Sequence, residues 1–220
     1  MEKFFDTVSH SRLIELLSKK IKDGRVISLI HKYLLAGVQI GSCFEETHEG
    51  VPQGGPLSPL LSNIMLNELD KELDRRGHPF VRYADDCMIF SKSKRAAGRT
   101  KESITRFIEE VLYLRVNRVK TKFGYVRGMK FLGYSFYIHS GECRLSVHLK
   151  SYDKFETKLK ELTGRSNGMG YVKRKESLRN FIMGWLEYFK LADMKSKLRD
   201  IDTWYRRRLR MCIWKNTGRR

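Results

Sequence analysis

Two adjacent carboxylates, Asp85 and Asp86, are the side chains in this sequence best suited to metal chemistry. The apolar runs Phe80-Val81 and Met88-Ile89-Phe90 flank them, a pattern typical of two short strands joined by a tight turn. Because like charges repel and strands disfavour Asp, the pair is unfavourable unless a cation neutralises it. Mg²⁺ prefers such carboxylate oxygens together with the phosphates of a substrate. An ordinary polar turn is the alternative interpretation, since Asp is common in turns.

A loop rich in glycine and proline, residues 50–56 (GVPQGGP), is the second candidate. Glycine lets a ligand approach the backbone closely, and the predicted helix that follows would direct its first N–H groups toward a phosphate. Taken alone, such a loop is better explained as a plain turn. The run Phe4-Phe5-Asp6 is weaker still, because paired phenylalanines at the end of a strand usually belong to the core.

The elements that must position these residues follow from hydrophobic periodicity. Helical spacing of apolar residues predicts helices over residues 13–34 (with a break at Asp23-Gly24), 57–73 and 94–112. Strand-like patterns cover residues 37–48, 80–90 and 119–137, and residues 3–8 are typical of the end of a strand that runs into a turn. Helices and hairpins alternate without the regular strand–helix–strand order of a parallel sheet, so the sequence predicts an α+β fold with an antiparallel sheet.

The positive charge is concentrated toward the C-terminus. The chain of 220 residues has a formal net charge of +19, and residues 150–220 hold 20 of its 44 Lys and Arg but only 8 of its 25 Asp and Glu. Helical spacing on both sides of the linker-like residues 164–170 predicts a compact helical domain with basic outer faces and with Trp185 and Trp204 in its core. Such an excess of charge implies a polyanionic partner, by default a nucleic acid; a merely well-solvated surface is the alternative.

Composition excludes several classes of protein. Hydrophobic residues make up 41% of the chain, which is enough for a substantial core and too many for a disordered basic tail. No apolar run approaches the roughly 20 residues of a transmembrane helix, and the first residues do not form a signal peptide. The four cysteines are scattered along the chain: Cys43, Cys87, Cys143 and Cys212. Their spacing argues against a disulfide scaffold and a structural zinc site and favours a reducing cytosol as the compartment.

Taken together and in this order, the motifs resemble those of a reverse transcriptase of the group II intron class. The run Tyr83-Ala84-Asp85-Asp86 is similar to the YADD motif of the polymerase palm, and residues 51–59 (VPQGGPLSP) are similar to the PQG motif of the family. Lys120-Thr121-Lys122 resembles the family's next motif, and residues 130–134 (KFLGY) resemble its primer-grip hairpin. Residues 184–189 and 204–210 resemble its maturase-specific thumb, called domain X. The resemblance implies a polymerase-type palm with an antiparallel sheet and packed helices over residues 1–149, followed by an α-helical thumb over residues 150–220.

The resemblance also implies a role for each motif residue. Asp85 and Asp86 would be the catalytic residues that hold Mg²⁺, with Mn²⁺ as an alternative ion. Nucleotide binding would fall to Phe4, Phe5, Gln53, Gly54 and Lys122. One ring of the phenylalanine pair would pack under the nucleotide sugar, and Lys120 is nearly as plausible as Lys122 beside the triphosphate. The primer grip would comprise Phe131, Leu132 and Gly133, and RNA would bind to Arg206, Arg207, Arg208 and Arg210.

The implied activity is RNA-directed DNA synthesis by two-metal nucleotidyl transfer, combined with maturase binding of intron RNA. The implied partners are group II intron RNA, an RNA template with a DNA primer, and dNTP; no membrane is expected, and nothing indicates an oligomeric state. A non-catalytic RNA-binding maturase module that assists splicing is the alternative. The leading Asp of the family's first motif would lie one residue before Met1, and the fingers region would precede it. We therefore expect this chain alone to be inactive, and we expect it in a cytoplasm of bacterial type.

Overall fold

The computed structural model describes residues 1, 4–40, 42–45, 47–52, 54–164 and 168–217. Contacts between residues divide the chain into two compact units, Met1–Gly124 and Tyr125–Arg220. Both units contain helices and antiparallel strands, which confirms the predicted α+β fold. None of the described helices is long and apolar enough to cross a membrane.

The first unit combines α-helices with two β-hairpins in its described residues. A short 3₁₀ helix spans Phe4–Asp6. The α-helices are α1 (His10–Lys20), α2 (Gly24–Leu34), α3 (Ser58–Arg75) and α4 (Lys94–Glu110). One hairpin pairs β1 (Val38–Ile40) with β2 (Cys43–Glu45), and the other pairs β3 (Phe80–Tyr83) with β4 (Asp86–Ile89).

Side-chain caps begin three of these helices, and their apolar faces meet in one core. Ser9, Asp23 and Ser93 accept hydrogen bonds from N–H groups in the first turns of α1, α2 and α4. The core joins apolar residues of α1, α3 and α4: Leu13, Leu17, Leu61, Met65, Leu69, Leu73, Ile104 and Ile108. The second hairpin packs on this core through Phe80, Cys87 and Ile89. The hairpin that carries the paired acids is thereby fixed to the helices.

The second unit places a three-stranded antiparallel sheet before three helices. The sheet order is β5 (Lys130–Phe131), β6 (Tyr134–His139) and β7 (Glu142–Val147). The helices are α5 (Leu149–Leu162), α6 (Tyr171–Tyr188) and α7 (Lys195–Thr217). Trp185 lies with its ring centroid 4.2 Å from that of Phe155, and Trp204 packs on the same buried cluster. The prediction that both tryptophans are core residues is confirmed.

Two local predictions from the sequence are wrong. Residues 119–126 form turns and irregular backbone, because the Asn117 side chain accepts a hydrogen bond from the Lys120 N–H (2.9 Å) and so supports a local turn instead of a strand ladder. Phe4–Asp6 form a 3₁₀ helix where the end of a strand was expected, and the Thr7 N–H closes it by donating to the Phe4 carbonyl (3.2 Å). The domain boundary at residues 149/150 stays a prediction.

Candidate functional site

The paired acids lie where the chain reverses between β3 and β4. The strand register pairs Tyr83 with Asp86, so Ala84 and Asp85 are the two residues of the turn. Ala84 has a φ of +51°. A positive φ at the first turn position is what a two-residue hairpin turn of type II′ requires. The predicted tight turn is therefore confirmed, with Asp85 in the turn and Asp86 as the first residue of β4.

The hairpin has one face on the core and one exposed face. Side chains alternate along a strand, so Asp86 shares the outer face with its partner Tyr83. On that face Val81 is 49% exposed and Tyr83 is 66% exposed. A two-stranded antiparallel sheet covers the core with one face only, which leaves its other face to solvent. The outer face leaves Asp86 open to a ligand.

The two carboxylates match a divalent cation in ligand type. The Asp85 side chain is 39% exposed, and its Oδ2 lies 3.9 Å from the main-chain nitrogen of Met1. The Asp86 carboxylate forms no hydrogen bond or ion pair with any residue that the structure describes. Hard, accessible carboxylate oxygens are what Mg²⁺ prefers. Within the described residues, no group of three or more His, Cys, Asp or Glu side chains is placed to hold a metal ion.

The loop of residues 50–56 is fastened to the segment that contains Phe5. The Val51 N–H donates to the Phe5 carbonyl (2.6 Å), and the Gly50 N–H donates to the Val8 carbonyl (2.8 Å). The buried Nε2 of His10 lies 2.6 Å from the Gly50 carbonyl oxygen. The structure therefore brings together two motifs that lie about forty residues apart in the sequence.

Glycines in this loop serve different purposes. Gly50 has a φ of +91°, and a Cβ there would lie 2.8 Å from the Phe5 carbonyl oxygen, closer than real contacts allow. Gly54 has a φ of +84° but open space around it, so its backbone is accessible to a ligand. Gln53, which was predicted to line the nucleotide pocket, lies outside the described residues.

Phe5 is the member of the predicted aromatic pair that keeps accessible surface. Phe4 is 3% exposed and belongs to the core. The half-buried Phe5 ring meets it edge to face, with centroids 5.4 Å apart. Lys122 and the alternative Lys120 both lie exposed in the irregular segment after α4. That either lysine approaches a triphosphate stays a prediction.

The predicted primer-grip residues belong to the second unit and surround the turn between β5 and β6. Leu132 has a φ of +50° and Gly133 a φ of +84°, as a type I′ hairpin turn requires. The Tyr188 hydroxyl donates to the Leu132 carbonyl (2.9 Å), and the Tyr134 hydroxyl donates to the Tyr188 carbonyl (2.5 Å). Helix α6 thus stabilises a turn in which Leu132 has an unfavourable backbone conformation. That Phe131, Leu132 and Gly133 contact a primer stays a prediction.

The four arginines predicted to bind RNA have three different environments. Arg207 and Arg210 are exposed, and neither has an ion-pair partner among the described residues. Arg206 is exposed but pairs with Asp202 at 2.7 Å. Arg208 is half-buried, with its Nε donating to Thr163 Oγ1 (2.7 Å) at the end of α5. Arg208 is therefore part of the internal structure of the unit, whereas Arg207 and Arg210 are free to meet phosphates.

Sequence reasoning missed two residues that hold the motifs in place, His10 and Arg82. His10 binds the loop as described above. Arg82 of β3 forms an ion pair with Asp70 of α3 and donates hydrogen bonds to both oxygens of its carboxylate, so this ion pair connects β3 to α3. The available signal was a lone charged residue in the apolar run before the paired acids. Burial, and then the nearby Asp70 carboxylate, raises the pKa of the Cys87 thiol to about 11, so Cys87 stays neutral on the core face of the hairpin.

Comparisons with known proteins agree with this architecture. A model of the reverse transcriptase (RNA-dependent DNA polymerase) family matches residues 1–136, and a model of the group II intron maturase-specific domain matches residues 152–220. These matches define the class as a reverse transcriptase palm joined to a maturase domain. The chain belongs to the reverse transcriptase family, in its group II intron form. Nothing in these findings favours the alternative of a purely non-catalytic module.

Individual relatives come from bacteria and from introns. Protein YkfC of Escherichia coli (strain K12) is 34% identical over 170 residues, which cover 61% of this chain and 44% of YkfC. The group II intron-encoded protein LtrA of Lactococcus lactis subsp. cremoris is 51% identical over 67 residues, which cover 30% of this chain and 11% of LtrA. An uncharacterized 91 kDa protein in the cob intron of Schizosaccharomyces pombe is 46% identical over 70 residues, 32% of this chain and 9% of that protein. The chain thus spans less than half the length of each of these relatives.

Proposed function

We propose that this chain supplies the palm and thumb of a group II intron reverse transcriptase, which copies an RNA template from a DNA primer with dNTP and binds group II intron RNA as a maturase. The observation that carries the proposal is the Asp85-Asp86 pair, exposed at the end of a hairpin that packs on the core, in a chain of this family. The proposal places the protein in a reducing cytoplasm, in keeping with the scattered cysteines of the sequence.

Asp85 and Asp86 are the residues proposed to hold the divalent metal, Mg²⁺ with Mn²⁺ as an alternative; reverse transcriptases normally use such ions. When bound, Mg²⁺ supplies Lewis-acid activation of a primer 3′-hydroxyl and neutralises charge on the leaving pyrophosphate. The contribution of this chain is to keep two carboxylates exposed on a turn whose backbone is fixed. Because the hairpin packs on the core through Phe80, Cys87 and Ile89, the carboxylates do not need to be ordered again for each catalytic cycle.

Nucleotide binding is proposed for Phe5 and for the loop that is bonded to it. The exposed part of the Phe5 ring offers an apolar surface to a nucleotide sugar, and the open backbone at Gly54 lets a phosphate approach. Gln53 and Lys122 complete the proposed pocket, with Lys122 supplying positive charge for the triphosphate. The hydrogen bonds from Val51 and Gly50 support the proposal, because they hold the loop and the aromatic segment at a constant separation.

RNA and primer binding are proposed for the second unit. The arginines Arg206, Arg207 and Arg210 present charge that the unit does not use in its own core. The turn of Phe131, Leu132 and Gly133 is proposed to hold the primer end, and its support by Tyr188 suits a rigid contact. The excess of basic residues beyond residue 150 favours a structured RNA as the ligand.

The 220 residues by themselves are proposed to be inactive as a polymerase. Two-metal catalysis needs several well-placed carboxylates, since Mg²⁺ otherwise retains its water ligands. In the family that this chain resembles, the first motif supplies a further carboxylate beside the pair.

Primer extension tests the proposed function. We expect a chain joined to the upstream part of the family's first motif to extend a DNA primer on an RNA template with Mg²⁺, and Asp85→Ala to abolish extension. RNA affinity and melting temperature should stay unchanged in that variant, because the Asp85 side chain is 39% exposed and contributes little to the core. Asp74→Ala, an exposed acid on α3, is the matched control. An Asp85→Ala protein that polymerises, or that unfolds, would show that the pair is not catalytic.

A further inference from the structure

We infer that Arg82 is a positioning residue that holds the Ala84-Asp85 turn against helix α3 and so determines where the paired carboxylates meet a metal ion. The inference rests on the proposed function, because it concerns how the proposed metal ligands are held. Arg82 lies in β3 on the face that packs toward the core, opposite to the face of Tyr83 and Asp86.

The guanidinium of Arg82 reaches three different groups. Its Nε and Nη2 donate to Asp70 Oδ1 (2.7 Å) and Oδ2 (2.5 Å), a bidentate pairing that fixes the plane of the group. Its Nη1 donates to Asn63 Oδ1 (3.2 Å) and to the Ala84 carbonyl (3.0 Å). Asn63 and Asp70 belong to α3, whereas Ala84 belongs to the turn. One side chain therefore connects the helix to the residue that immediately precedes Asp85.

The turn needs such support because the backbone conformation of its first residue is energetically unfavourable. Ala84 has a φ of +51°, a region that residues other than glycine seldom occupy. A hydrogen bond to the Ala84 carbonyl restricts rotation of the peptide group that leads into Asp85. Without this bond the turn can adopt other conformations, and the Asp85 carboxylate moves with it.

The pairing is partly withdrawn from water, which makes it a firm anchor. The side chains of Arg82 and Asp70 are 13% and 22% exposed. Charge-assisted bidentate hydrogen bonds in such a setting are stronger than exposed ion pairs and less screened by salt. The hydrogen bonds with Asp70 also raise the pKa of Arg82, which favours its charged form.

Lysine cannot reproduce this arrangement, and Arg82→Lys is therefore the informative variant. A lysine ammonium keeps the charge and can still meet Asp70, but it lacks the planar fork needed to reach Asp70, Asn63 and Ala84 together. Arg76→Lys is the matched control. Arg76 also uses a fork to join two elements, since it donates to Glu72 on α3 and to Ser103 on α4, but among the described residues it forms no hydrogen bond with the hairpin.

The experiment measures Mn²⁺ affinity by electron paramagnetic resonance and amide hydrogen exchange of residues 83–87, both on the 220-residue chain. For Arg82→Lys we expect Mn²⁺ affinity to fall by about 10-fold, as for other residues that orient metal ligands. Exchange at residues 83–87 should become faster, while exchange in α3 stays as in the wild type. Arg76→Lys should leave both measurements unchanged. Asp70→Asn keeps the shape of the acid but weakens its pairing with Arg82, so we expect an intermediate effect. If Arg82→Lys does not fold, Asp70→Asn takes its place in the experiment.

The outcomes separate the inference from the proposed function. If Asp85→Ala leaves Mn²⁺ affinity unchanged, the paired acids are not a metal site and the proposed function fails independently of Arg82. If Asp85→Ala abolishes Mn²⁺ binding while Arg82→Lys and Asp70→Asn leave affinity and exchange unchanged, the positioning role is refuted. A loss of thermal stability in Arg82→Lys with wild-type Mn²⁺ affinity would likewise refute it, because a purely structural ion pair would give that result.

Discussion

At the scale of single residues, side chains of the same type have different functions according to what they contact. Arg208 donates to Thr163 and lies over the Trp204 ring, with its guanidinium carbon 5.4 Å from the ring centroid. Arg207, its neighbour in the chain, is exposed. A cluster of basic residues in a sequence is therefore not equivalent to a cluster of binding residues.

The difference between these arginines predicts opposite phenotypes. Arg207→Gln combined with Arg210→Gln should weaken RNA binding and reduce the salt slope by about 1 for each lost phosphate contact, with an unchanged melting temperature. Arg208→Gln should lower the free energy of unfolding by about 2 kcal/mol, because it removes a charged hydrogen bond to a buried hydroxyl. Salt-dependent filter binding and thermal melting measure the two effects. Equal effects of both variants on both measurements would contradict this assignment.

At the scale of elements, helix α3 connects the parts of the proposed site in the first unit. At its start the buried Ser58 hydroxyl donates to the Pro52 carbonyl of the loop. In its middle Asn63 and Asp70 bind Arg82 of the hairpin. Near its end Glu72 binds Arg76, which in turn reaches Ser103 of α4. A change at Ser58 is therefore expected to affect the loop, and a change at Asn63 or Asp70 is expected to affect the paired acids.

The end of α3 predicts a pH dependence of stability. Hydrogen bonds from Arg75, and secondly from Arg76, lower the pKa of the Glu72 carboxyl from 4.5 to about 2. Because this pKa is lower in the folded than in the unfolded state, the stabilisation is complete above about pH 4.5 and is lost as the pH falls toward 2. Melting temperatures of the wild type and of Glu72→Gln should therefore differ at pH 7 and converge in that acidic range. Parallel curves across this range would show that Glu72 contributes nothing through its charge.

The junction between the loop and the Phe5 segment predicts a stability effect at Gly50. Gly50→Ala should lower the free energy of unfolding by roughly 1–3 kcal/mol, because the residue has a positive φ and a Cβ would press on the Phe5 carbonyl. Gly24→Ala is the control, since nothing lies within 4 Å of a Cβ there. Chemical denaturation of both variants measures the difference. A Gly50→Ala protein as stable as Gly24→Ala would show that the junction can relax.

At the scale of the whole molecule, the two compact units differ in charge and in construction. The first unit has a helical core that carries the paired acids, and the second has a small sheet beside helices with many basic residues. Within the second unit, Trp185 of α6 and Trp204 of α7 are half-buried and pack against the core. The proposed RNA binding by this unit is therefore assigned to its exposed basic residues.

The difference between the two units predicts what the 220 residues can do alone. We expect them to bind structured RNA with a steep salt dependence but to incorporate no dNTP on an RNA template, because Mg²⁺ needs several well-placed carboxylates and the described residues place no third one with Asp85 and Asp86. Joining the upstream part of the family's first motif, or adding it as a separate fragment, should restore incorporation. The assay is template-dependent primer extension with and without that segment. Incorporation by the 220 residues that disappears in Asp85→Ala would contradict the expectation.

The sequence by itself determined the features that depend on local pattern. Apolar periodicity predicted the helices and the hairpin of the paired acids, and the order of motifs predicted the family that the comparisons confirm. Such features can be derived from the sequence because a strand, a helix or a tight turn is determined mainly by its own residues and immediate neighbours. Where an Asn side chain competed with a strand pattern, at residues 119–126, the prediction failed.

Only the tertiary structure decided which residues support the motifs. Arg82 meets Asp70 across 12 positions of the sequence, and His10 meets Gly50 across 40. It also decided that Arg208 lies inward while Arg207 faces solvent, and that Phe4 is buried while Phe5 is partly open. These outcomes depend on how separate elements pack, and the geometry of a hydrogen bond across such a contact is set by the backbones of both elements together. No local pattern in one segment contains that information.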